Sequence, residues 1–305
     1  MGGAVRQHTI AETVSCIGTG LHSGAPVHLT LRPAPVDFGV VFARTDRGRS
    51  VEIRAHPSAV TSTRFATTLG CGDATVGTVE HLFSALFGLG IDNVRVEVDG
   101  PELPVMDGSA APFVYLLHSA GVRPQPASRP VLRLRRPLEV RDGERHIRIE
   151  PARSFRVSYA VEFDHPVIGR QEYRVDSFHP EHFEREISAA RTFGFLQEVR
   201  ALWRSGFARG GSLDNTVVLD DQGVVNPDGL RWPDEFVRHK VLDLFGDLAL
   251  LGMPVRGHVR VERGGHSLHQ KLVAAILANQ DAWRIDDSDS RASRGLGLTP
   301  LANRA

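Results

Sequence analysis

The sequence contains little cysteine and no long hydrophobic run. Cys16 and Cys71 are the only two cysteines among 305 residues, too few for a disulfide scaffold and typical of a protein in a reducing compartment. No stretch approaches the roughly 18 consecutive apolar residues of a membrane-spanning helix, and the first residues lack the charged and apolar regions of a signal peptide. We therefore expect a cytoplasmic protein with no transmembrane segment.

The sequence also lacks an excess of charge of either sign. Its 36 Lys and Arg residues balance 36 Asp and Glu residues, so no general electrostatic attraction to nucleic acid is expected. The hydrophobic fraction of 41% and the charged fraction of 24% are ordinary for a globular protein. A chain of this length can form two domains, each with its own core.

One stretch, from Asp234 to Asp247, combines helical periodicity with metal-binding side chains. Asp234 is a candidate N-cap, and apolar residues recur at helical intervals at Phe236, Val237, Val241, Leu244, Phe245 and Leu248. His239, Asp243 and Asp247 are four residues apart, which places them on one helix face. An imidazole and a carboxylate one turn apart suit zinc or another divalent metal, although the same pattern also occurs on solvated helix faces.

A second stretch repeats this pattern. Thr78 is a candidate N-cap of another helix that contains His81. His81 and His239 are each followed five to seven residues later by Leu-Phe-Gly, and similar strands follow at residues 94–97 and 259–262. The repeat indicates two related halves that face each other, with one histidine from each half at their junction.

These two histidines and Asp243 form a candidate metal site. Such a ligand set leaves one coordination position open for water, as a catalytic zinc requires. Glu80, beside His81, is a candidate general base, although a glutamate in the first turn of a helix also suits the helix dipole. His266 follows a glycine turn, and a buried carboxylate such as Asp247 would favour its protonated form; the alternative is a surface histidine.

The predicted domains are separated by a proline-rich stretch. Prolines exclude a helix or a central strand from residues 124–130, which we interpret as a linker. The first domain would span residues 1–125 and the second residues 131–285. Residues 286–305 are rich in Ser, Arg and Gly, and we expect a disordered tail.

Five motifs together resemble the UDP-3-O-acyl-N-acetylglucosamine deacetylases, a family of zinc amidases of lipid A synthesis. The resemblance extends from about Gln7 to Trp283 and rests on residues 78–81, 106–114, 190–195, 236–243 and 265–268. It implies an α+β fold of two related domains of layered β-sheet and helices, with the active site at their junction. It also implies a βαβ unit, inserted at about residues 192–219, that lines an acyl passage.

The resemblance implies a role for each candidate catalytic residue. One zinc per chain, or Fe2+ in the cell, would be bound by three residues: His81, His239 and Asp243. Glu80 would be the general base, and His266, oriented by Asp247, would protonate the leaving amine. Thr192 resembles the hydroxyl residue that helps stabilise the oxyanion, and Lys240 resembles the cation that meets the substrate.

The resemblance also implies where the nucleotide binds. Phe163 resembles the residue that stacks on uracil, with Glu162 beside it. Arg145 and Arg263 replace lysines near the diphosphate, and arginine holds phosphate in forked rather than point-charge geometry. Two further substrate contacts are predicted: Leu21 and Phe193.

The predicted reaction is the release of acetate from UDP-3-O-acyl-N-acetylglucosamine by a monomeric enzyme. Two alternatives remain open: a non-catalytic acyl-nucleotide binding module, and a metal-dependent hydrolase of an unrelated amide. Loss of Glu80 or of a ligand would favour the binding module, and all are present. Ala66 stands where some family members have cysteine, and His269 stands where asparagine is common. The acyl-chain preference is left open.

Overall fold

The computed structural model describes residues 5–48 and 50–286. The strands of the first half are β1 (Arg6–Ile10), β2 (Val14–Thr19), β3 (Pro26–Pro33), β4 (Val40–Arg44), β5 (Val51–Arg54), β6 (Val60–Ser62), β7 (Thr68–Cys71), β8 (Ala74–Val76), β9 (Val94–Val98) and β10 (Val122–Ser128). Those of the second half are β11 (Val131–Leu134), β12 (Leu138–Asp142), β13 (Arg145–Glu150), β14 (Arg156–Glu162), β15 (Arg170–Val175), β16 (Phe193–Phe195), β17 (Val217–Leu219), β18 (Val255–Arg256), β19 (His258–Glu262) and β20 (Trp283–Asp286).

The α-helices of the described residues alternate with these strands. They are α1 (Glu80–Leu89), α2 (Ala111–Ala120), α3 (Pro180–Glu186), α4 (Leu196–Arg204), α5 (Glu235–Ala249) and α6 (His266–Ala278). Over the same residues, none of the helices combines the length and the hydropathy needed to cross a membrane. The predicted tail begins at Asp286, the last residue of β20, and its remainder at 287–305 lies outside the described residues.

Two five-stranded sheets share one topology, which confirms the repeat predicted from the sequence. Their strand orders are β2-β3-β9-β4-β5 and β12-β13-β19-β14-β15. In each sheet the central strand is antiparallel to the second and parallel to the fourth. In the second half, α6 packs on β12 and β13, and α5 packs on β14 and β15. The chain is therefore a layered α+β protein, as expected.

Helices α1 and α5 pack against each other at the centre of the molecule. Gly246 allows the closest approach, because a Cβ atom there would lie 2.1 Å from the carbonyl oxygen of Glu80. The phenylalanines of the two Leu-Phe-Gly repeats, Phe87 and Phe245, contact each other with ring centroids 5.3 Å apart. The repeated motif thus forms the interface between the two halves.

The prolines at 124–130 do not produce the predicted linker. Residues 122–128 instead form β10, which pairs antiparallel with β1 in a two-stranded sheet. Each strand of such a sheet has a free edge, where a proline without an N–H group breaks no ladder. The prolines correctly excluded a central strand at this position, but they are compatible with a strand that has a free edge.

Of the two predicted helix caps, Asp234 is at the N-cap position and Thr78 is not. Val79, not Thr78, is the N-cap residue of α1, and the Thr78 hydroxyl donates instead to Glu102 over 2.8 Å. Asp234 is the N-cap residue of α5 but makes no side-chain capping bond. Its carboxylate accepts a 2.7 Å bond from Nε of Arg238, and such a charge-assisted bond is stronger than one from a neutral amide.

Gly246→Ala is expected to destabilise the protein. Helix propensity alone would favour alanine by about 1 kcal/mol, but the added methyl group must push α5 away from the first turn of α1, which costs roughly 1–3 kcal/mol. Urea denaturation measures the free energy of unfolding. The control is Gly223→Ala, where an added Cβ meets nothing within 4 Å. A Gly246→Ala protein as stable as this control would contradict the close packing of the two helices.

Candidate active site and metal centre

His81 on α1 meets His239 and Asp243 on α5 at the helix junction. Nε2 of His239 lies 3.4 Å from Oδ1 of Asp243, and Nε2 of His81 lies 3.8 Å from the same oxygen. The two imidazole rings are nearly perpendicular, with centroids 5.1 Å apart. All three side chains are buried, and one potential ligand atom from each lies within 4.8 Å of the others.

The hydrogen bonds around these residues leave the potential ligand atoms free. Oδ1 of Asp243 is buried and has no hydrogen-bond partner in the described part of the chain, which is costly for a carboxylate oxygen unless a cation binds it. Its other oxygen accepts a 2.8 Å bond from Lys240. Nδ1–H of His239 donates to the carbonyl of Ala190 over 3.1 Å, which leaves the Nε2 lone pair available. The donor set fits a divalent metal.

The protonation states of the three residues also suit metal binding. Burial lowers the pKa of His81 to about 4 and that of His239 to about 3. Burial alone would raise the pKa of Asp243, but His239 and Lys240 hold it well below its usual range. Near neutral pH the site therefore presents two neutral imidazoles and one carboxylate, the forms in which these side chains bind metals.

Glu80 lies beside this cluster with one oxygen held and the other directed towards His266. The backbone N–H of Thr67 donates to Oε2 of Glu80 over 3.1 Å, and Oε1 lies 3.7 Å from Nε2 of His266. Burial raises the pKa of Glu80 to about 7. A carboxylate with this pKa can accept a proton near neutral pH.

His266, the first residue of α6, forms an ion pair with Asp247 on α5. Nδ1 of His266 lies 2.8 Å from Oδ2 of Asp247. Burial opposes protonation of this imidazole, but Asp247, Asp243 and Glu80 together raise the pKa of His266 to about 10. Burial alone would raise the pKa of Asp247, and His266 instead holds it below its usual range. His266 is therefore a cation that can donate a proton.

A cavity of about 190 Å³ lies over these groups. Of the residues predicted from the sequence, its wall includes Leu21, Glu80, His81, Thr192, Phe193, His239, Lys240, Asp243 and His266. Lys240 extends over the ring of Phe193, with Nζ 5.4 Å from the ring centre. Asp247 lies behind the wall. The structure therefore brings together the predicted metal ligands, most of the predicted catalytic residues and two of the predicted substrate contacts.

Of the predicted nucleotide residues, one lies in the wall of a second cavity of about 320 Å³. Phe163 lines this cavity, and its ring contacts Phe193 of the first cavity at 5.7 Å between centroids. Neither Arg145 nor Arg263 is in the wall of either cavity. Arg263 instead pairs with Glu162 at 2.6 Å, and Arg145 pairs with an aspartate on the same hairpin.

Sequence reasoning missed two residues that hold the site together. The hydroxyl of Thr67 donates to Oδ1 of Asp247 over 2.6 Å, so Thr67 joins Glu80 to the His266–Asp247 pair. The carboxylate of Glu102 accepts bonds from the backbone of His22 and Ser23, both at 2.9 Å, and fixes the turn that carries Leu21. Nothing in the local sequence around Thr67 or Glu102 distinguishes them, because their partners are distant along the chain.

Known proteins match almost the whole chain. A family model described as UDP-3-O-acyl N-acetylglycosamine deacetylase matches residues 7–278. The chain is 52% identical to the UDP-3-O-acyl-N-acetylglucosamine deacetylase of Myxococcus xanthus, over 96% of this chain and 93% of that protein. It is 50% identical to the protein of the same name from Acidithiobacillus ferrooxidans, over 94% and 95% of the two chains. The chain therefore belongs to the UDP-3-O-acyl-N-acetylglucosamine deacetylase family.

Proposed function

We propose that this protein hydrolyses the acetamide of UDP-3-O-acyl-N-acetylglucosamine, the substrate in the names of its relatives, and releases acetate in the synthesis of lipid A. One observation carries the proposal. In one cavity wall, the unpartnered Oδ1 of Asp243 lies near the neutral imidazoles of His81 and His239. Glu80 and the protonated His266 line the same wall. This arrangement provides a cation site, a base and an acid in the wall of one cavity, the three groups that hydrolysis of an amide would use.

The metal in this proposal is Zn2+, one per chain, held by His81, His239 and Asp243. Two imidazoles and a carboxylate also suit Fe2+, which is the alternative in the cell. When bound, the metal supplies Lewis acidity towards the amide carbonyl. Lys240 holds the second oxygen of Asp243 at 2.8 Å, which directs the first oxygen towards the two histidines.

Glu80 is the general base in this reaction. Its Oε2 is held by the Thr67 backbone, so Oε1 is free to accept a proton from the attacking water. As the water oxygen bonds to the amide carbon, the carbonyl oxygen gains negative charge. Thr192 and Lys240 line the same wall and would stabilise that charge.

His266 is the general acid. When the carbon–nitrogen bond breaks, the amine nitrogen needs a proton, and Nε2 of His266 supplies it. Its other nitrogen is bound to Asp247 at 2.8 Å, which keeps Nε2 directed at Glu80 and Asp243. Nε2 of the acid and Oε1 of the base therefore lie 3.7 Å apart in the wall of one cavity, where both would reach the same amide.

The substrate would extend from the catalytic cavity in two directions. Leu21 and Phe193 would contact the acyl chain beside the βαβ unit of β16, α4 and β17. Phe163 would stack on uracil in the second cavity, with Glu162 nearby. Arg145 and Arg263 would exchange their present carboxylate partners for the diphosphate, which arginine binds in a forked geometry.

We also propose that the enzyme acts as a cytoplasmic monomer. Both cysteines are free thiols, which suits a reducing compartment. All of the proposed metal ligands, the acid and the base come from one chain, so the site needs no second copy.

Glu80→Gln is expected to lower kcat by roughly two to four orders of magnitude, because the amide cannot accept the proton of water. The assay measures acetate released from UDP-3-O-acyl-N-acetylglucosamine. Glu97→Gln, on the outer surface of a sheet, is the matched control and should keep full activity. Wild-type turnover by a Glu80→Gln protein with normal metal content would contradict the assignment of the base.

The pH profile of kcat/KM is expected to be bell-shaped. Glu80 must be ionised, so activity rises as the pH passes a pKa of about 7, and His266 must be protonated, so activity falls as the pH passes about 10. A bound divalent cation moves both limbs to lower pH, because it favours the less protonated forms. His266→Gln should abolish the alkaline limb. Persistence of that limb in the variant would assign it to another group.

Asp243→Asn and Asp247→Asn are expected to separate metal binding from proton transfer. Loss of the charged ligand at 243 should leave the dialysed protein with much less zinc, whereas the 247 variant should retain one zinc per chain and lose activity. Elemental analysis and the acetate assay measure the two properties. In the wild type, a chelator should abolish activity and added zinc should restore it. Equal zinc retention by both variants would contradict the proposed ligand set.

A further inference from the structure

His269 is a buried histidine behind the active site that the proposed reaction does not use. It lies one turn after His266 on α6 and has no exposed surface. Its Nδ1 is 2.8 Å from Oδ2 of Asp247, the same oxygen that His266 contacts at 2.8 Å. One carboxylate oxygen therefore serves two imidazoles, of which only that of His266 reaches the cavity.

Tyr159 on β14 fixes the tautomer of His269. Its hydroxyl lies 3.0 Å from Nε2 of the imidazole. Burial raises the pKa of Tyr159 well above its usual value and lowers that of His269, so the phenol keeps its proton and the imidazole is neutral. The ionised Asp247 can only accept, which places the ring proton on Nδ1, and Nε2 accepts from the phenol. The hydrogen bonds thus run from Tyr159 to His269 to Asp247.

The remaining oxygen of Asp247 is also occupied. Oδ1 accepts bonds from the hydroxyl of Thr67 at 2.6 Å and from the side-chain amide of Gln270 at 3.2 Å. Four donors therefore surround one buried carboxylate, two on each oxygen, and restrict its rotation. The orientation of Asp247 in turn determines the direction of His266.

We propose that His269 and Tyr159 are positioning residues for the deacetylase reaction: Tyr159 holds His269 in the Nδ1–H tautomer, and His269 holds Asp247 in the orientation that aims His266 at the leaving amine. The proposal rests on the proposed role of His266 as the acid. Neither positioning residue lines the catalytic cavity, so neither is expected to touch the substrate.

A second metal ion is the competing interpretation of this cluster. Asp247, His266 and His269 offer ligand atoms within 4.8 Å of one another. In contrast to Oδ1 of Asp243, however, both oxygens of Asp247 and Nδ1 of both imidazoles already have hydrogen-bond partners. A metal would have to displace the protons on both imidazoles, so the hydrogen-bonded arrangement is favoured.

His269→Asn and His269→Leu are a matched pair for the test, because the two side chains are similar in size. The asparagine amide can donate from near the position of Nδ1, whereas leucine cannot donate. His269→Leu should lower kcat about tenfold, the usual effect of losing a hydrogen bond to a buried charge, with KM and zinc content unchanged. His269→Asn should restore kcat to within about twofold of the wild type, and Tyr159→Phe should fall between them.

The outcomes separate positioning from packing and from the proposed function itself. Equal losses in both His269 variants would show a packing effect and overturn the proposal, and so would wild-type kcat in His269→Leu or a second zinc per chain. Wild-type turnover by His266→Gln would instead overturn the role of the acid. Nitrogen NMR of histidine-labelled wild type and Tyr159→Phe gives a readout that needs neither turnover nor the leucine variant. The wild type should show His269 as the Nδ1–H tautomer, and the Nε2–H tautomer there would overturn the proposal.

Discussion

The close contact between α1 and α5 is the constraint on which the site depends. Gly246 removes the side chain that would separate the helices and lets α5 approach the backbone of Glu80. His81 follows Glu80 on α1. Asp243 and His239 lie on the turns of α5 that come before Gly246. Because His81 is on α1 whereas His239 and Asp243 are both on α5, a shift of one helix along the other would separate His81 from its two partners. Packing of apolar side chains thus fixes distances on which the chemistry depends.

Burying so many ionisable groups together requires that their charges balance. Burial alone would neutralise each carboxylate, yet Asp243 and Asp247 stay ionised because Lys240 and His266 lie beside them. For Glu80 the effect of burial outweighs that of the nearby His266 cation and raises the pKa to about 7. A carboxylate with a pKa near neutral pH is a better proton acceptor than an ordinary glutamate. The buried environment therefore makes Glu80 a suitable general base.

Sequence patterns predicted the site residues that lie on α1 and α5. They did not predict residues such as Thr67, whose contacts are with distant parts of the chain. Helical spacing placed His239, Asp243 and Asp247 on one face, and the Leu-Phe-Gly repeat paired His239 with His81. Thr67 contacts Asp247, 180 residues away along the chain, and no local pattern encodes such a contact. The proline-rich strand β10 was misread for a related reason, because its partner β1 lies at the other end of the first half. Periodicity reports which face of an element is buried but not what it is buried against.

Thr67 also shows why the acid and the base cannot be treated as independent groups. Its backbone N–H holds Glu80, and its hydroxyl holds Asp247, which in turn holds His266. One residue therefore sets the separation of 3.7 Å between the carboxylate oxygen and the imidazole nitrogen. Because water must give its proton on one side and the amine must gain one on the other, the two groups have to stay apart by about the width of the reacting atoms. Thr67, which directly precedes β7, is therefore a common support for the base and for the residue that orients the acid.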